Sequence, residues 1–234
     1  MNVPLVVGCG LLGAVVGTFL TVVTASVSEE EPLFVQLRRR VRADGVTTLV
    51  STRSPWMPLA AGAAFAAMAA HFGADAALPA FLALSAGVVA LAAVDLRQYL
   101  LPNHVLYPTL VAVSTLLVLA ASLDGEWGGL RRATVGGVAA FAAMFVVHVI
   151  NPAGLGFGDV RLSGLLGAAL GWLSAGRVVL GLFAGFLAAA VAGVALMAAG
   201  RKRGQDSLPF GPFLIAGALV AIWFGAPLLR WYGV

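Results

Sequence analysis

A series of eight apolar stretches, each close to the length of a membrane span, constrains the fold of this chain most strongly. A bilayer core of about 30 Å needs roughly 20 apolar residues in a spanning helix. Hydrophobic residues make up 61% of the 234-residue chain and charged residues only 10%, which is far from the composition of a soluble domain. We therefore predict an all-α, polytopic transmembrane helical bundle that forms a single membrane-embedded domain over residues 1–234. The predicted spans are 3–27, 56–72, 78–97, 104–122, 132–150, 159–174, 177–199 and 210–230.

The basic residues predict how these spans are oriented. With both termini outside, the predicted cytoplasmic loops are 28–55, 96–103, 151–158 and 200–209. Only four of the 14 Lys and Arg residues then lie on the outer side, as the positive-inside rule favours, and these are Arg131, Arg132, Arg177 and Arg230. The first span has no basic flank before it and no small-residue cleavage site after it, so we expect it to be retained rather than removed as a signal peptide.

The charge and cysteine content also limit the partners and cofactors. The calculated pI is near 10.0, but the arginines lie in short loops at helix ends, so we expect no nucleic-acid site. The basic run in the loop 28–55 is expected to meet anionic lipid headgroups. One cysteine excludes an intrachain disulfide and a cysteine zinc cluster, and the three histidines lack metal-ligand spacing, so no metal site is predicted. His71 and His148 are expected to be interfacial or packed.

Two acidic residues are placed differently from the other eight, which all fall in predicted loops. Asp95 lies at the end of the third span in VDLRQYLLPN, and Asp159 opens the sixth span in GFGDVRL. An aspartate deep in a transmembrane helix costs about 2.5 to 3.5 kcal/mol, and less near the interface, so the retention of two at one depth indicates a use. Both lie near the predicted cytoplasmic boundary, and we expect the two side chains to meet there.

Two carboxyl groups within a few ångströms of each other share one proton, and this is the arrangement of aspartic proteases. Asp159 at a helix N-terminus is favoured as the anion, whereas Asp95 near a helix C-terminus is favoured in its protonated form. We therefore assign Asp159 as the base and Asp95 as the acid, as a hypothesis. Three alternatives stay open at this point: two solvated interfacial aspartates, a proton-coupled transporter, and a non-catalytic assembly scaffold.

Several separated segments of the chain carry a family resemblance. GFGDVRL resembles a GxGDxKL motif, VDLRQYLLPN is similar to a first aspartate segment followed by Pro-Asn, and LPFGPFL resembles a late Pro-Phe-Gly-Pro signature. In this order they resemble the prepilin peptidases, the type IV prepilin leader peptidases of the GxGD intramembrane aspartyl proteases. The first helix, GLLGAVVGTFLTVVTASV, is also similar, so the likeness extends from about residue 10 to about residue 220.

The resemblance implies an endopeptidase of the cytoplasmic (inner) membrane whose active site faces the cytoplasm. Its partner would be a prepilin or pilin-like precursor, which is cut after a glycine to release a short basic leader. The implied catalytic residues are Asp95 and Asp159, and proteolysis would need no cofactor. The residues expected to bind substrate or shape the site are Gly156, Gly158, Arg161, Pro102, Asn103, Pro209, Gly211 and Pro212.

Two features depart from the family pattern. Arg161 stands where the motif usually has lysine, which keeps the charge but alters the hydrogen-bonding geometry, and we expect activity to survive. The loop 28–55 contains no cysteine, whereas many longer members carry two zinc-binding CxxC pairs in this region. Those longer enzymes also methylate the new N-terminal amine. S-adenosylmethionine is therefore expected as a cosubstrate only if this chain retains methylation.

Overall fold

The computed structural model describes residues 2–25, 56–98, 101–152, 154–199 and 209–231. All regular structure in these ranges is helical, as predicted. The helices are α1 (Val3–Ala25), α2 (Trp56–Phe72), α3 (Leu78–Gln98), α4 (Asn103–Asp124), α5 (Trp127–Ile150), α6 (Phe157–Leu173), α7 (Ala175–Ala198) and α8 (Gly211–Trp231). The predicted cytoplasmic loop 28–55 lies outside the described residues.

The apolar helices confirm that the chain is a multi-pass membrane protein. Among the helices that the structure describes, α1, α3, α4, α5, α7 and α8 are long and apolar enough to cross a membrane, and α2 is a shorter apolar helix of 17 residues. The remaining helix, α6, also has 17 residues, and most of them are buried by the protein itself. The expectation of about eight spans is thus consistent with seven apolar helices and one largely enclosed helix.

The helix of the fifth predicted span, approximately 132–150, begins earlier than residue 132, at Trp127. The prediction treated Arg131 and Arg132 as the end of a loop. Both side chains are exposed, and an arginine near a helix end extends toward the polar boundary without interrupting the backbone. Arg132 also donates to the backbone carbonyl of Trp172 at the end of α6, at 3.4 Å.

One compact unit comprises Met1–Val94 and Pro102–Leu117. Within it, α1 packs closely on α2 through glycines, since a Cβ at Gly13 would lie 2.6 Å from the Ala61 carbonyl oxygen and one at Gly17 would lie 2.6 Å from the Cα of Pro58. Such close backbone approach is typical of small residues between membrane helices. α2 ends at Phe72 and is followed by Gly73, whose φ of 61° is the left-handed cap that glycine adopts without strain.

The second compact unit comprises Asp95–Leu101 and Val118–Val234. Its central helix is α6, which contacts α5, α7 and α8. α5 and α6 also approach each other closely at glycines, because a Cβ at Gly136 would lie 2.7 Å from the carbonyl oxygen of Gly167. The last turn of α3 belongs to this unit, so Asp95 lies in the same compact unit as Asp159 and the start of α8. The assignment of residues 1–234 to a single domain stays a prediction.

Candidate active site

The two aspartates singled out by the sequence are buried at helix ends. Asp95 lies in the last turn of α3 and is 4% exposed, and Asp159 lies in the first turn of α6 and is 8% exposed. They are the only charged side chains that are buried among the described residues. A carboxylate costs free energy when it leaves water, so this pair needs a reason beyond packing.

The structure brings the two carboxyl groups to one point beside Gly211, the first residue of α8. A Cβ at Gly211 would lie 2.7 Å from Oδ2 of Asp95 and 3.6 Å from Oδ1 of Asp159. Both distances are measured from the same point, so the separation of the two oxygens is no greater than the sum of the two distances. The absence of a side chain at Gly211 therefore keeps open the space that the two carboxyl groups face.

Each carboxyl group has one oxygen that a backbone donor can satisfy and one that has none. The backbone N–H of Gly211 donates to Asp95, and that of Gly156 donates to Asp159. By contrast, Oδ2 of Asp95 and Oδ1 of Asp159 are buried without a hydrogen-bond partner among the described residues. These two oxygens are the ones that face the point beside Gly211. Buried polar atoms in native proteins are almost always paired, so two such oxygens that face one point make this place the candidate active site.

This arrangement is suited to acid–base chemistry on a small polar group. Two neighbouring carboxyl groups cannot both ionise readily, so they hold one proton between them. The ionised group can accept a proton from water while the protonated group donates to a carbonyl oxygen. Among the described residues, no three His, Cys, Asp or Glu side chains cluster as a metal site would require.

The loop before Asp159 is held by a residue that sequence reasoning did not assign to the site. Nδ1 of His148, in the last turn of α5, lies 2.7 Å from the carbonyl oxygen of Leu155. Gly156 follows Leu155 as the N-cap of α6, with extended backbone. No periodicity or ligand spacing connects His148 to this loop in the sequence, so only the tertiary structure reveals the contact.

An aromatic cluster surrounds Phe157 in the same segment. The ring of Phe157 lies 6.4 Å from that of Phe141, 6.3 Å from that of Phe145 and 5.5 Å from that of His148, measured between centroids. The guanidinium carbon of Arg161 lies 4.5 Å from the centre of the Phe157 ring, within the range of a cation–π contact. Arg161 thus packs beside the segment that carries Asp159.

The remaining glycine and proline predictions fall at helix starts. A Cβ at Gly158 would lie 2.9 Å from the Cβ of Leu101, so this glycine lets Leu101 pack against the start of α6. Pro209 precedes α8, and Pro212 is its second residue, a position where proline's missing N–H costs nothing.

Pro102 and Asn103 are at the start of α4 in the first compact unit. The Pro102 carbonyl accepts from the backbone N–H groups of Val105 and Leu106, both at 3.1 Å. Their part in the site stays a prediction.

Comparison with known proteins agrees with these features. The type IV leader peptidase family matches residues 82–198, half of the chain, and this range contains both Asp95 and Asp159. The prepilin leader peptidase/N-methyltransferase of Burkholderia pseudomallei (strain K96243) is 34% identical over 206 residues, which cover 85% of this chain and 63% of that protein. The chain therefore spans less than two thirds of the length of this relative.

Proteins with the same name in other bacteria are similar over comparable lengths. That of Stutzerimonas stutzeri is 28% identical over 200 residues, covering 83% of this chain and 67% of the relative. That of Bacillus subtilis (strain 168) is 29% identical over 187 residues, covering 78% of this chain and 71% of the relative. No solved structure matches significantly. On this evidence the chain belongs to the type IV leader peptidase family.

Proposed function

We propose that this protein is a membrane aspartyl endopeptidase that cleaves the short basic leader from a type IV pilin-like precursor. The observation that carries the proposal is the pair of unpartnered oxygens, Oδ2 of Asp95 and Oδ1 of Asp159, that face one point beside Gly211. The names of the relatives supply the substrate class, a prepilin leader. The proposed location is the inner membrane, with the active site toward the cytoplasm where the leader remains.

The hydrolysis divides between the two carboxyl groups. Asp159 is ionised and takes a proton from a water molecule as the oxygen of that water attacks the scissile carbonyl carbon. Asp95, protonated, donates to the carbonyl oxygen and so stabilises the charge that develops there. As the C–N bond breaks, Asp159 gives the proton it took from water to the leaving amine, and a hydroxyl of the tetrahedral intermediate returns its proton to Asp95, so the pair again shares one proton. These steps use only the two carboxyl groups and water.

The local backbone supports this division of roles. Asp159 lies in the first turn of α6, where the helix dipole favours an anion, and it accepts from the N–H of Gly156. Asp95 lies at the C-terminal end of α3, where the dipole disfavours a negative charge. Because the two groups titrate together, the assignment describes the reactive microstate of the pair.

The residues around the pair are proposed to shape the binding surface for an extended peptide. Gly156 and Gly211 bring backbone N–H groups to the carboxyl groups, and Gly158 allows the chain at Leu101 to pack closely. Because a glycine has no side chain, these positions leave room for the backbone of an extended peptide to approach the pair. The residues that we propose to complete this surface are Arg161, Pro209 and Pro212, while a part for Pro102 and Asn103 rests on the family resemblance alone.

The second activity in the names of the relatives, N-methyltransferase, is not part of the proposal. It would require S-adenosylmethionine as methyl donor. We assign none of the described residues to a site for it, and no step of the proposed hydrolysis uses it.

The test is cleavage of a candidate prepilin co-expressed with the wild type, Asp95→Asn or Asp159→Asn, read as a mobility shift. The amount of each variant in the membrane is measured in parallel. A precursor whose glycine before the cleavage site is replaced controls for other proteases. We expect cleavage by the wild type alone. Failure of the wild type to cleave would contradict the proposal and favour the transporter or scaffold alternatives, which proton flux in vesicles would then distinguish.

A further inference from the structure

His148 is linked to Asp159 through a single peptide group. Nδ1 of His148 is 2.7 Å from the carbonyl oxygen of Leu155. The same peptide group carries the N–H of Gly156, which donates to the Asp159 carboxylate. In a trans peptide the C=O and N–H point in opposite directions, so the group accepts on one side and donates on the other.

The direction of this relay follows from the donors and acceptors. A carbonyl oxygen only accepts, so Nδ1 of His148 must carry the hydrogen in this contact. At the other end, Oδ1 of Asp159 has no partner, and Oδ2 lies 3.4 Å from the position of a Cβ at Gly156, so Oδ2 is the oxygen on the Gly156 side. The hydrogen bonds run from His148 to the peptide group and from the peptide group to Asp159, and consecutive bonds of this kind strengthen each other.

The ring of His148 is held in the orientation that the relay requires. It lies 5.5 Å from the ring of Phe157, which also contacts Phe145 and the Arg161 guanidinium. Phe157 is two residues before Asp159, so the ring contact and the hydrogen bond act on the two ends of the same short segment. The loop between α5 and α6 is thereby held at Leu155 and at Phe157.

We propose that His148 is a positioning residue for Asp159, acting through the Leu155–Gly156 peptide group. This inference rests on the proposed function and deepens it by adding a residue that does not touch the substrate. His148 keeps the Gly156 N–H directed at Oδ2 of Asp159. It thereby leaves Oδ1 to face Asp95 and the space beside Gly211.

The test separates the hydrogen bond from the ring by two substitutions. His148→Phe keeps an aromatic ring against Phe157 and removes the donor. His148→Asn removes the ring but carries an amide nitrogen on Cγ, the same atom that bears Nδ1 in histidine. The control is His71→Phe, which makes the same change at a histidine that contacts Phe72 in the other compact unit.

Steady-state cleavage of a prepilin peptide by purified protein gives the first readout. We expect His148→Phe to lower kcat about tenfold while KM stays within about twofold, the effect of one lost hydrogen bond at the reacting group. His148→Asn should recover most of the loss, and His71→Phe should match the wild type. The proposal is overturned if His148→Phe retains wild-type kcat, if His148→Asn is as impaired as His148→Phe, or if His71→Phe loses as much.

Hydrogen–deuterium exchange over residues 151–159 provides a second readout that does not depend on cleavage. The amides of this segment should exchange faster in His148→Phe than in the wild type, and His148→Asn should stay close to the wild type. Should the wild type cleave no prepilin, the proposed function fails and this comparison alone decides whether His148 positions the loop. Unchanged exchange in His148→Phe would overturn the inference.

Discussion

Oδ2 of Asp95 and Oδ1 of Asp159 face a single point beside the α-carbon of Gly211, at 2.7 Å and 3.6 Å from the position of a Cβ there. Neither oxygen has a partner among the described residues. One belongs to the end of α3 and the other to the start of α6, so both helix ends contribute a buried carboxyl group to the candidate site. The predictions below follow from this convergence.

Replacement of Asp95 by asparagine should maintain or raise the stability of the protein. The change removes a buried carboxyl group with an unpartnered oxygen. The Nδ2 of the introduced asparagine can donate to Oδ1 of Asp159. We expect a gain of up to about 2 kcal/mol in the free energy of unfolding. Thermal unfolding in detergent measures it. The matched control is Ser174→Ala, which removes an N-cap bond to the Arg177 N–H and should cost about 1 kcal/mol. A lower unfolding temperature for Asp95→Asn would count against a functional origin of the pair.

Gly211→Ala should abolish cleavage without preventing insertion in the membrane. The added methyl group would lie 2.7 Å from Oδ2 of Asp95 and would occupy the space between the carboxyl groups. Gly8→Ala is the control, since no atom lies within 4 Å of the position of a Cβ at Gly8. We expect a loss on the order of 100-fold or more for Gly211→Ala, comparable to loss of a catalytic group, and no change for Gly8→Ala. Near-wild-type cleavage by Gly211→Ala would show that this space is not used.

Gly158→Ala should reduce cleavage, and a second substitution should restore it. A Cβ at Gly158 would lie 2.9 Å from the Cβ of Leu101, so the start of α6 would have to move and take Asp159 with it. Leu101→Gly removes the atoms that clash. The kcat of the double variant should therefore exceed that of Gly158→Ala alone, by a coupling of about 1 kcal/mol or more. Additive effects of the two substitutions would mean that this contact does not position Asp159.

The sequence was sufficient to predict the helices and the two aspartates, because both follow from the cost of polar groups in a membrane. Apolar runs of span length became helices, and Asp95 and Asp159, which the sequence set apart from the other acidic residues, are buried. The predicted start of α5 was too late because arginines are typical of loops, although Arg131 and Arg132 lie in the helix near the membrane boundary.

Other features of the site are tertiary and leave no local pattern in the sequence. The motif around Gly211 placed this glycine near the site, but the closeness of its Cβ position to the carboxyl groups follows only from the packing of α8. His148 was expected to be merely interfacial or packed. Its contact with Leu155 depends on how the loop after α5 folds back, which neither periodicity nor spacing encodes.

Cleavage should depend on pH in a bell-shaped manner. At low pH both carboxyl groups are protonated and no base is available, whereas at high pH both are ionised and no acid is available. The rate of the wild type should therefore fall on both sides of an optimum, and the two falls report the titration of the pair as a whole and not of either aspartate alone. The measurement is kcat/KM against pH for a peptide substrate without titrating groups near the cleavage site. A rate that stays constant across the range in which the protein remains folded would contradict the shared-proton mechanism.

The most direct measurement of the central claim is a comparison of purified wild type, Asp95→Asn, Asp159→Asn and the double variant on one prepilin peptide. Product formation is followed by mass spectrometry, and folding is verified by thermal unfolding. If the two carboxyl groups act as a unit, each single substitution should lower kcat by about 1,000-fold or more, and the double variant should be no slower than either single one. Substantial cleavage by either folded single variant would contradict the account.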